Sequence, residues 1–444
     1  MKPSDWLLVL LSLVSVASAF DICDAKPKDI PLEPRCIYRT QEPDGPTEEP
    51  IPENTNPRVW ELSKANSRFA LSIFKELASS RTPESNIFMS PISVSTAFAM
   101  TKLGACDQTL EQIMKVFEFD SVKEKTSDQI HFFFAKLNCR LYRKKDKTTV
   151  LTSANRLFGE KSLHFNETYQ NISETVYGAK LMPLSFQENP ELARLTINNW
   201  IANKTQNRIQ ETLPEGVLDT NTILVLVNTI YFKGQWKHKF GKEDVFSSDF
   251  HINAGRKCSV SMMYQETKFR YGNFLEDKVQ LLEMPYLGDD ITMVLLLPSR
   301  DTTLREVEAN FDLKKFNTWV DNMKEITVSV NIPRFQVEDS FSLKDKLRKM
   351  GLTDLFDPDK ASLPGMLEDG SMSLFISDAF HKAFLEVNEE GSEAAASTAI
   401  VAVGRSFNLD REIFLADRPF LLFIRESTIN TLLFIGRVAN PCDQ

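Results

Sequence analysis

Residues 389–408 read E-E-G-S-E-A-A-A-S-T-A-I-V-A-V-G-R-S-F-N, and no other stretch constrains the fold as much. Paired acids, then Ala, Ser, Thr and Gly with little to bury, describe an exposed loop or a frayed Ala-rich helix. The same residues also suit an extended strand. Ser392, Ala394, Ala396, Thr398, Ile400 and Ala402 then share one face, and every one of them is small or apolar. That face can enter a packed sheet without burying an unpaired charge. Just before it, residues 380–387 alternate like a half-buried strand, and just after it Arg405 stands among small residues, followed by Ser406. A fold must therefore hold this segment outside and leave room for it inside.

The chain is long enough for two or three domains, yet no flexible linker divides it after Val59, and 42% hydrophobic residues with 32 Phe supply one extensive core. A net charge of −9 argues against general nucleic-acid binding, so any polyanion site is a local basic patch. Residues 1–19 have the basic start, apolar run and Ala-Ser-Ala end of a secretory signal, too short to span a bilayer. No long uncharged apolar run follows, so a soluble secreted product starting near Phe20 or Asp21 is expected. Its six cysteines, Cys23, Cys36, Cys106, Cys139, Cys258 and Cys442, suit three disulfides, with fifteen pairings open. Residues 20–57 are Pro-rich, acidic towards their end and unable to pack by themselves.

A helical period starts at Arg58, with Val59, Leu62, Phe69, Ile73 and Leu77 on one face. Ser90-Pro91 opens another helix, with Pro in its first turn. Residues 126–147 have two faces: Ile130, Phe134, Leu137 and Leu141 point to a core, while Lys136, Arg140, Arg143 and Lys147 line a second face, with Lys125 about three turns back. From Lys136 to Lys147 six basic residues stand against the single acid Asp146. A solvated face is the ordinary meaning of such a stripe; its alternative is a polyanion site, with Arg giving paired donors and Lys point charges. Beyond Thr222, strands are expected at 223–232, 279–285, 291–298, 326–333 and in a last hairpin at 419–438, with helices at 304–310 and 342–350. Long strands and helices without strict alternation read as α+β with mostly antiparallel sheets.

Catalytic signatures are missing. There is no G-x-S-x-G, H-E-x-x-H, phosphate-binding loop or C-x-x-C, and none of the five histidines has metal-ligand spacing from another. His381 reads as a hydrogen-bonded core residue, and Ser406 as part of a substrate bond. The expectation is a protein without enzymatic activity, metal or organic cofactor.

Several separated stretches carry a family resemblance: the hinge and loop at 389–399, R-P-F-L-L-F-I-R at 418–425, F-I-G-R-V-A-N-P at 434–441, N-I-F-M-S-P-I-S-V-S-T-A-F-A-M at 86–100 and V-N-T-I-Y-F-K-G-Q-W at 227–236. Together they resemble the serpins, serine protease inhibitors that trap their target. The resemblance implies one domain at 58–444, with three mostly antiparallel sheets, about nine helices and an exposed reactive loop at about 389–408. It implies a reactive bond at Arg405-Ser406, a hinge at Glu390, Gly391, Ser392, Ala394 and Ala396, and a network at His381 that holds the central strands shut.

Within the family the heparin-dependent clotting inhibitors match best. They imply the pairs Cys23 with Cys139, Cys36 with Cys106 and Cys258 with Cys442, and so a tail stapled beside the basic helix. The heparin or heparan sulfate site carried over is Lys26, Lys28, Arg58, Lys125, Lys136 and Arg140, with Trp60, Arg143, Lys144, Lys147 and Arg156 as lesser members. Pro57 stands where those inhibitors have another basic residue, which weakens that arm. Tyr264 and Glu266 match a protease contact region. The sequons at Asn166, Asn171 and Asn203 are glycosylation candidates. Asn171 has no counterpart in those relatives, while Asp107 and Asp146 replace their glycosylated Asn. The implied product is a monomeric inhibitor of thrombin and factor Xa in blood plasma. The alternatives are another heparin-dependent inhibitory serpin or a non-inhibitory carrier.

Overall fold

The computed structural model describes residues 21–25, 35–38, 51–53, 55–122, 129–142, 149–371, 374–392 and 411–443. Two sheets form among them. The nine-stranded sheet runs, in order, Ile87–Met89, Thr431–Val438, Phe420–Glu426, Ile291–Pro298, Val279–Pro285, Arg256–Phe274, Lys324–Pro333 and Glu412–Leu415, with Val245–Asn253 also paired to Arg256–Phe274. The six-stranded sheet runs Phe335–Ser342, Asp378–Asn388, Gly391–Ser392, Leu224–Gln235, Thr149–Glu160 and Met182–Leu184. Most pairs are antiparallel, and the described residues hold nine α-helices. Three sheets are expected and two continuous ladders are found. The 19-residue strand Arg256–Phe274 joins what would be separate sheets, pairing with Val245–Asn253 over 256–263, with Lys324–Pro333 over 262–271 and with Val279–Pro285 over 270–274. Twist along so long a strand lets its ends face different surroundings without breaking the ladder.

Local signals set the elements around the site. The helix Pro57–Ser79 starts where Asn56 caps Arg58 and Pro occupies the first turn, and Val59, Leu62, Phe69, Ile73 and Leu77 are all buried. The helix Pro91–Lys102 is capped by the Ser90 hydroxyl and is buried all round, lying beneath the six-stranded sheet. The helix Gln129–Tyr142 buries Ile130, Phe134, Leu137 and Leu141, as its period requires.

The strand Asp378–Asn388 departs from the half-buried expectation: all its residues from Ala379 to Leu385 are buried, and so is Val387. Its outer face is covered too. Phe380 and Phe384 pack with Val225, Val227 and Tyr231 against Ile197 and Ile201 of the helix Pro190–Lys204, in a core separate from the main one. Three disulfides close the molecule, Cys23–Cys139, Cys36–Cys106 and Cys258–Cys442, the pairing that the resemblance implies.

Candidate functional site

The centre of the six-stranded sheet is a seam between two parallel strands. Residues 378–384 pair with 225–231, and His381 lies opposite Asn228. Past Phe384 the strands part, and Gly391–Ser392 fills the gap, antiparallel to both neighbours: Gly391 pairs with Asn388 and Gln235, Ser392 with Val387 and Gly234. The hinge is thus already seated as the first two residues of a new central strand.

The fit at this end is close. Gly391 has φ +146, and a Cβ there would meet the Gly234 carbonyl oxygen at 2.0 Å. Only glycine satisfies both conditions. Ser392 is fully buried, its hydroxyl 2.7 Å from the Tyr286 hydroxyl. Tyr286 stacks on Trp236 with ring centroids 4.5 Å apart, and the Trp236 indole N–H donates to the Asn388 carbonyl at 3.0 Å. Burial raises the Tyr286 phenol far above its usual range, so it is present as a hydroxyl. Backbone N–H groups of Trp236 and Phe240 hold the Glu390 and Glu389 carbonyls. Arg334 pairs with the buried Glu389, and Lys239 pairs with Glu390 at 2.7 Å. Every residue from Glu389 to Ser392 has a partner.

The other end of the seam is sealed differently. His381 Nδ1–H donates to Asn228 Oδ1 at 2.5 Å, and Nε2 accepts from the Ser90 N–H at 3.2 Å. Those contacts specify one neutral tautomer. The Asn228 amide donates to Ser93 Oγ at 2.6 Å and to Asn155 Oδ1, and Ser93 Oγ meets Ser153 Oγ at 3.0 Å. Burial pushes the His381 imidazole down to about 3. It is therefore a neutral structural group, with no substrate access and no catalytic use.

Part of the expected basic face lies within the described residues. On the helix Gln129–Tyr142, Lys136 Nζ donates to the Cys23 carbonyl and lies 5.1 Å from the centre of the Phe132 ring. Arg140 gives Nε and Nη2 to Glu426 Oε1, at 3.1 and 2.9 Å. Glu426 is buried and also accepts from the Ile429 N–H. Arg58 pairs with Glu61, and Arg156 sits 4.7 Å from the Trp200 ring centre, its guanidinium pulled down by burial. Trp60 is half-buried beside Lys64. The disulfide Cys23–Cys139 brings the tail to this helix. Lys26, Lys28, Lys125, Arg143, Lys144, Lys147, Ala394, Ala396, Arg405 and Ser406 lie outside the described residues, as do 1–20 and 393–410.

Tyr264 and Glu266 lie together on the strand Arg256–Phe274, their side chains 3.1 Å apart, and Glu266 also accepts from Arg411 at 2.7 Å. Asn166 caps the helix Glu167–Tyr177 through the Tyr169 N–H, leaving its own amide nitrogen for a glycan, while Asn171 is exposed on that helix and Asn203 near the end of the next. Among the described residues no group of His, Cys, Asp and Glu could hold a metal ion, and no helix is long and apolar enough to cross a membrane.

Sequence reasoning missed Tyr286, Trp236, Arg334, Asn228 and Glu426. Their partners lie between 55 and 286 residues away. Trp236 and Asn228 lie within the family stretch at 227–236, which is the one signal that singles them out.

Known proteins supply the remaining comparison. The profile described as serpin (serine protease inhibitor) matches residues 64–441. Human antithrombin-III is 59% identical over 96% of this chain and 92% of its own length, and mouse antithrombin-III is similarly close, at 59% over 95% and 91%. Human leukocyte elastase inhibitor is 42% identical over 86% of the chain and 100% of its own. Among solved structures, uncleaved ovalbumin superposes with a TM-score of 0.77 at 32% identity, covering 86% of this chain and 100% of that one.

Proposed function

Because the chain belongs to the serpin family, we propose that it is a secreted trap for trypsin-like serine proteases of blood coagulation, thrombin and factor Xa, accelerated by heparin or heparan sulfate. The observation that carries this reading is the seated pair Gly391–Ser392, the beginning of a strand whose remainder is supplied by the chain that follows it.

The target's serine attacks the Arg405 carbonyl carbon, an ester to Arg405 forms, and the bond to Ser406 breaks as its nitrogen leaves with a proton. Cutting the tether lets residues 390–405 continue the strand. Sixteen residues at roughly 3.3 Å each span about 50 Å, enough to carry the bound enzyme along the whole sheet. Extending the observed register brings Thr398 level with Asn228 on one side and His381 on the other. Thr398 is then placed to offer a hydroxyl where the His381–Asn228 bond must open. The same register brings Arg405 level with Asn221 and Leu374, beyond the far ends of both neighbouring strands. Ser392 faces the core, so Ala394, Ala396, Thr398, Ile400 and Ala402 follow it inward with no charge among them.

Heparin acts in two ways, by bridging inhibitor to protease and by freeing the hinge. The reading assigns the polyanion to Lys136 and Arg140 on the helix Gln129–Tyr142 and Arg58 on the helix Pro57–Ser79, with Lys26, Lys28, Lys125, Arg143, Lys144 and Lys147 as further members. Tyr264 and Glu266 form the protease contact, and Asn166, Asn171 and Asn203 carry glycans. Residues 1–19 are the leader, 20–57 the stapled tail and 58–444 one inhibitory body.

One gel tests the trap. Mixed with thrombin, with and without heparin, the protein yields an SDS-resistant adduct; cleaved inhibitor without adduct overturns the reading. For the polyanion, Lys136→Ala is a cleaner probe than Arg140→Ala, which strands the buried Glu426. It lowers the heparin-accelerated rate about tenfold relative to the heparin-free rate and flattens its salt dependence.

A further inference from the structure

Behind the hinge clamp lies a half-open cleft of about 330 Å³, lined by Lys237, Lys268, Phe269, Arg270, Pro285 and Arg425 together with His238 and three acids. That volume is at the lower end for small-molecule sites, roughly 300–1,000 Å³. Only a thin wall separates it from the hinge. Trp236 and Tyr286 form an isolated antiparallel bridge, with the Lys237 N–H donating to the Pro285 carbonyl at 3.0 Å. Successive residues of extended chain point to opposite sides. Trp236 and Tyr286 therefore face Asn388 and Ser392, while their neighbours Lys237 and Pro285 face the cleft.

The charges in the cleft are unevenly engaged. Glu283, at its base, accepts from Arg425, Arg270 and Thr292, so its carboxylate is spent. Lys237 pairs with Asp289, but both are well exposed and such a pair is worth little. Lys268 makes no ion pair among the described residues. Four Lys and Arg against three acids leave the lining positive in a chain of net charge −9, and Pro285 gives it an apolar edge.

We propose that this cleft binds a small aromatic anion, a carboxylate or sulfonate, and that its occupancy holds Gly391–Ser392 seated. The anion sits between Lys268 and Lys237 with its ring against Pro285 and the aliphatic stem of Lys268. It braces the wall in the arrangement that the seated hinge requires, and a ligand selecting one state opposes any ligand that selects the other. Its effect on inhibition rests on the proposed role of hinge release in heparin acceleration; its effect on the hinge does not.

Naphthalene-1-sulfonate titrated calorimetrically into the full chain tests the site. Expected are one saturable site, about tenfold weaker binding after Lys268→Ala, and about tenfold weaker binding of neutral naphthalene-1-methanol, as for loss of one charge-assisted contact. No saturable binding, or binding indifferent to Lys268→Ala, overturns the site. Hydrogen exchange read by mass spectrometry then tests the coupling: the probe slows exchange of the amides of Trp236, Phe240, Gly391 and Ser392. Unchanged exchange with the probe bound overturns the coupling. If the protein forms no adduct with thrombin even without the probe, the proposed function fails while the exchange result still decides the cleft.

Discussion

The two ends of one seam are closed by opposite means. At the His381 end, seven residue pairs in parallel register are joined by a polar network of His381, Asn228, Ser93, Asn155 and Ser90, buried between two apolar cores. At the Ser392 end, closure rests on two small residues, one hydroxyl contact, the Trp236 indole and a few backbone bonds to residues 388–390, and two ion pairs whose basic partners are partly exposed. One end resists opening because many buried groups would lose partners together; the other gives way by parts. On the proposed mechanism, insertion starts at the weak end and passes through the strong one.

The largest effect expected concerns the strong end. His381 stays neutral when folded, its imidazole held down to about 3 by burial, whereas in the unfolded chain it takes a proton near 6.5. Its stabilisation is complete above about pH 6.5 and is lost as the pH falls towards 3, by about 2 kcal/mol at pH 5. His131 is lowered by burial as well and adds to the slope. Denaturant midpoints between pH 7.5 and 5 should fall steeply, and His381→Gln should remove one histidine's share of that fall. An unchanged slope in the variant would put the titration elsewhere and weaken the contrast between the two ends.

Next in size is Gly391→Ala. The added Cβ meets the Gly234 carbonyl at 2.0 Å and the backbone is left-handed, so seating costs about 2 kcal/mol more. The hinge leaves, the heparin-free rate rises, and heparin binds more tightly because it no longer has to expel the hinge. Equal heparin affinity in variant and parent, measured by titration, would separate the hinge from the basic face.

Much of this contrast was legible beforehand, but not its fastenings. The strands Val279–Pro285 and Ile291–Pro298 and the helix Leu304–Asn310 begin and end where the pattern places them, because Pro, Thr caps and apolar runs act locally. The small-residue face of 392–402 and the reading of His381 as a hydrogen-bonded core residue are likewise properties of short segments. Of the helix expected over 126–147, the described residues show Gln129–Tyr142. The engagement of Arg140 by Glu426 could not be read at all, since a surface stripe says nothing of a carboxylate 286 residues away. Nor does alternation along 380–387 reveal that the helix Pro190–Lys204 covers the outer face.

The smallest effect is the sharpest test of the weak end. Tyr286→Phe keeps the ring that stacks on Trp236 and removes only the hydroxyl that meets Ser392. Ser392 then loses its one side-chain partner among the described residues in a fully buried position, a loss of about 1 kcal/mol, or roughly fivefold in the balance between seated and free hinge. The heparin-free inhibition rate should rise by no more than that factor, while thermal stability changes little because the polar network at His381 is untouched. A rise as large as that from Gly391→Ala would mean that the hydroxyl pair alone fastens this end. No rise at all would assign the fastening to the ion pairs Arg334–Glu389 and Lys239–Glu390, which salt should then weaken.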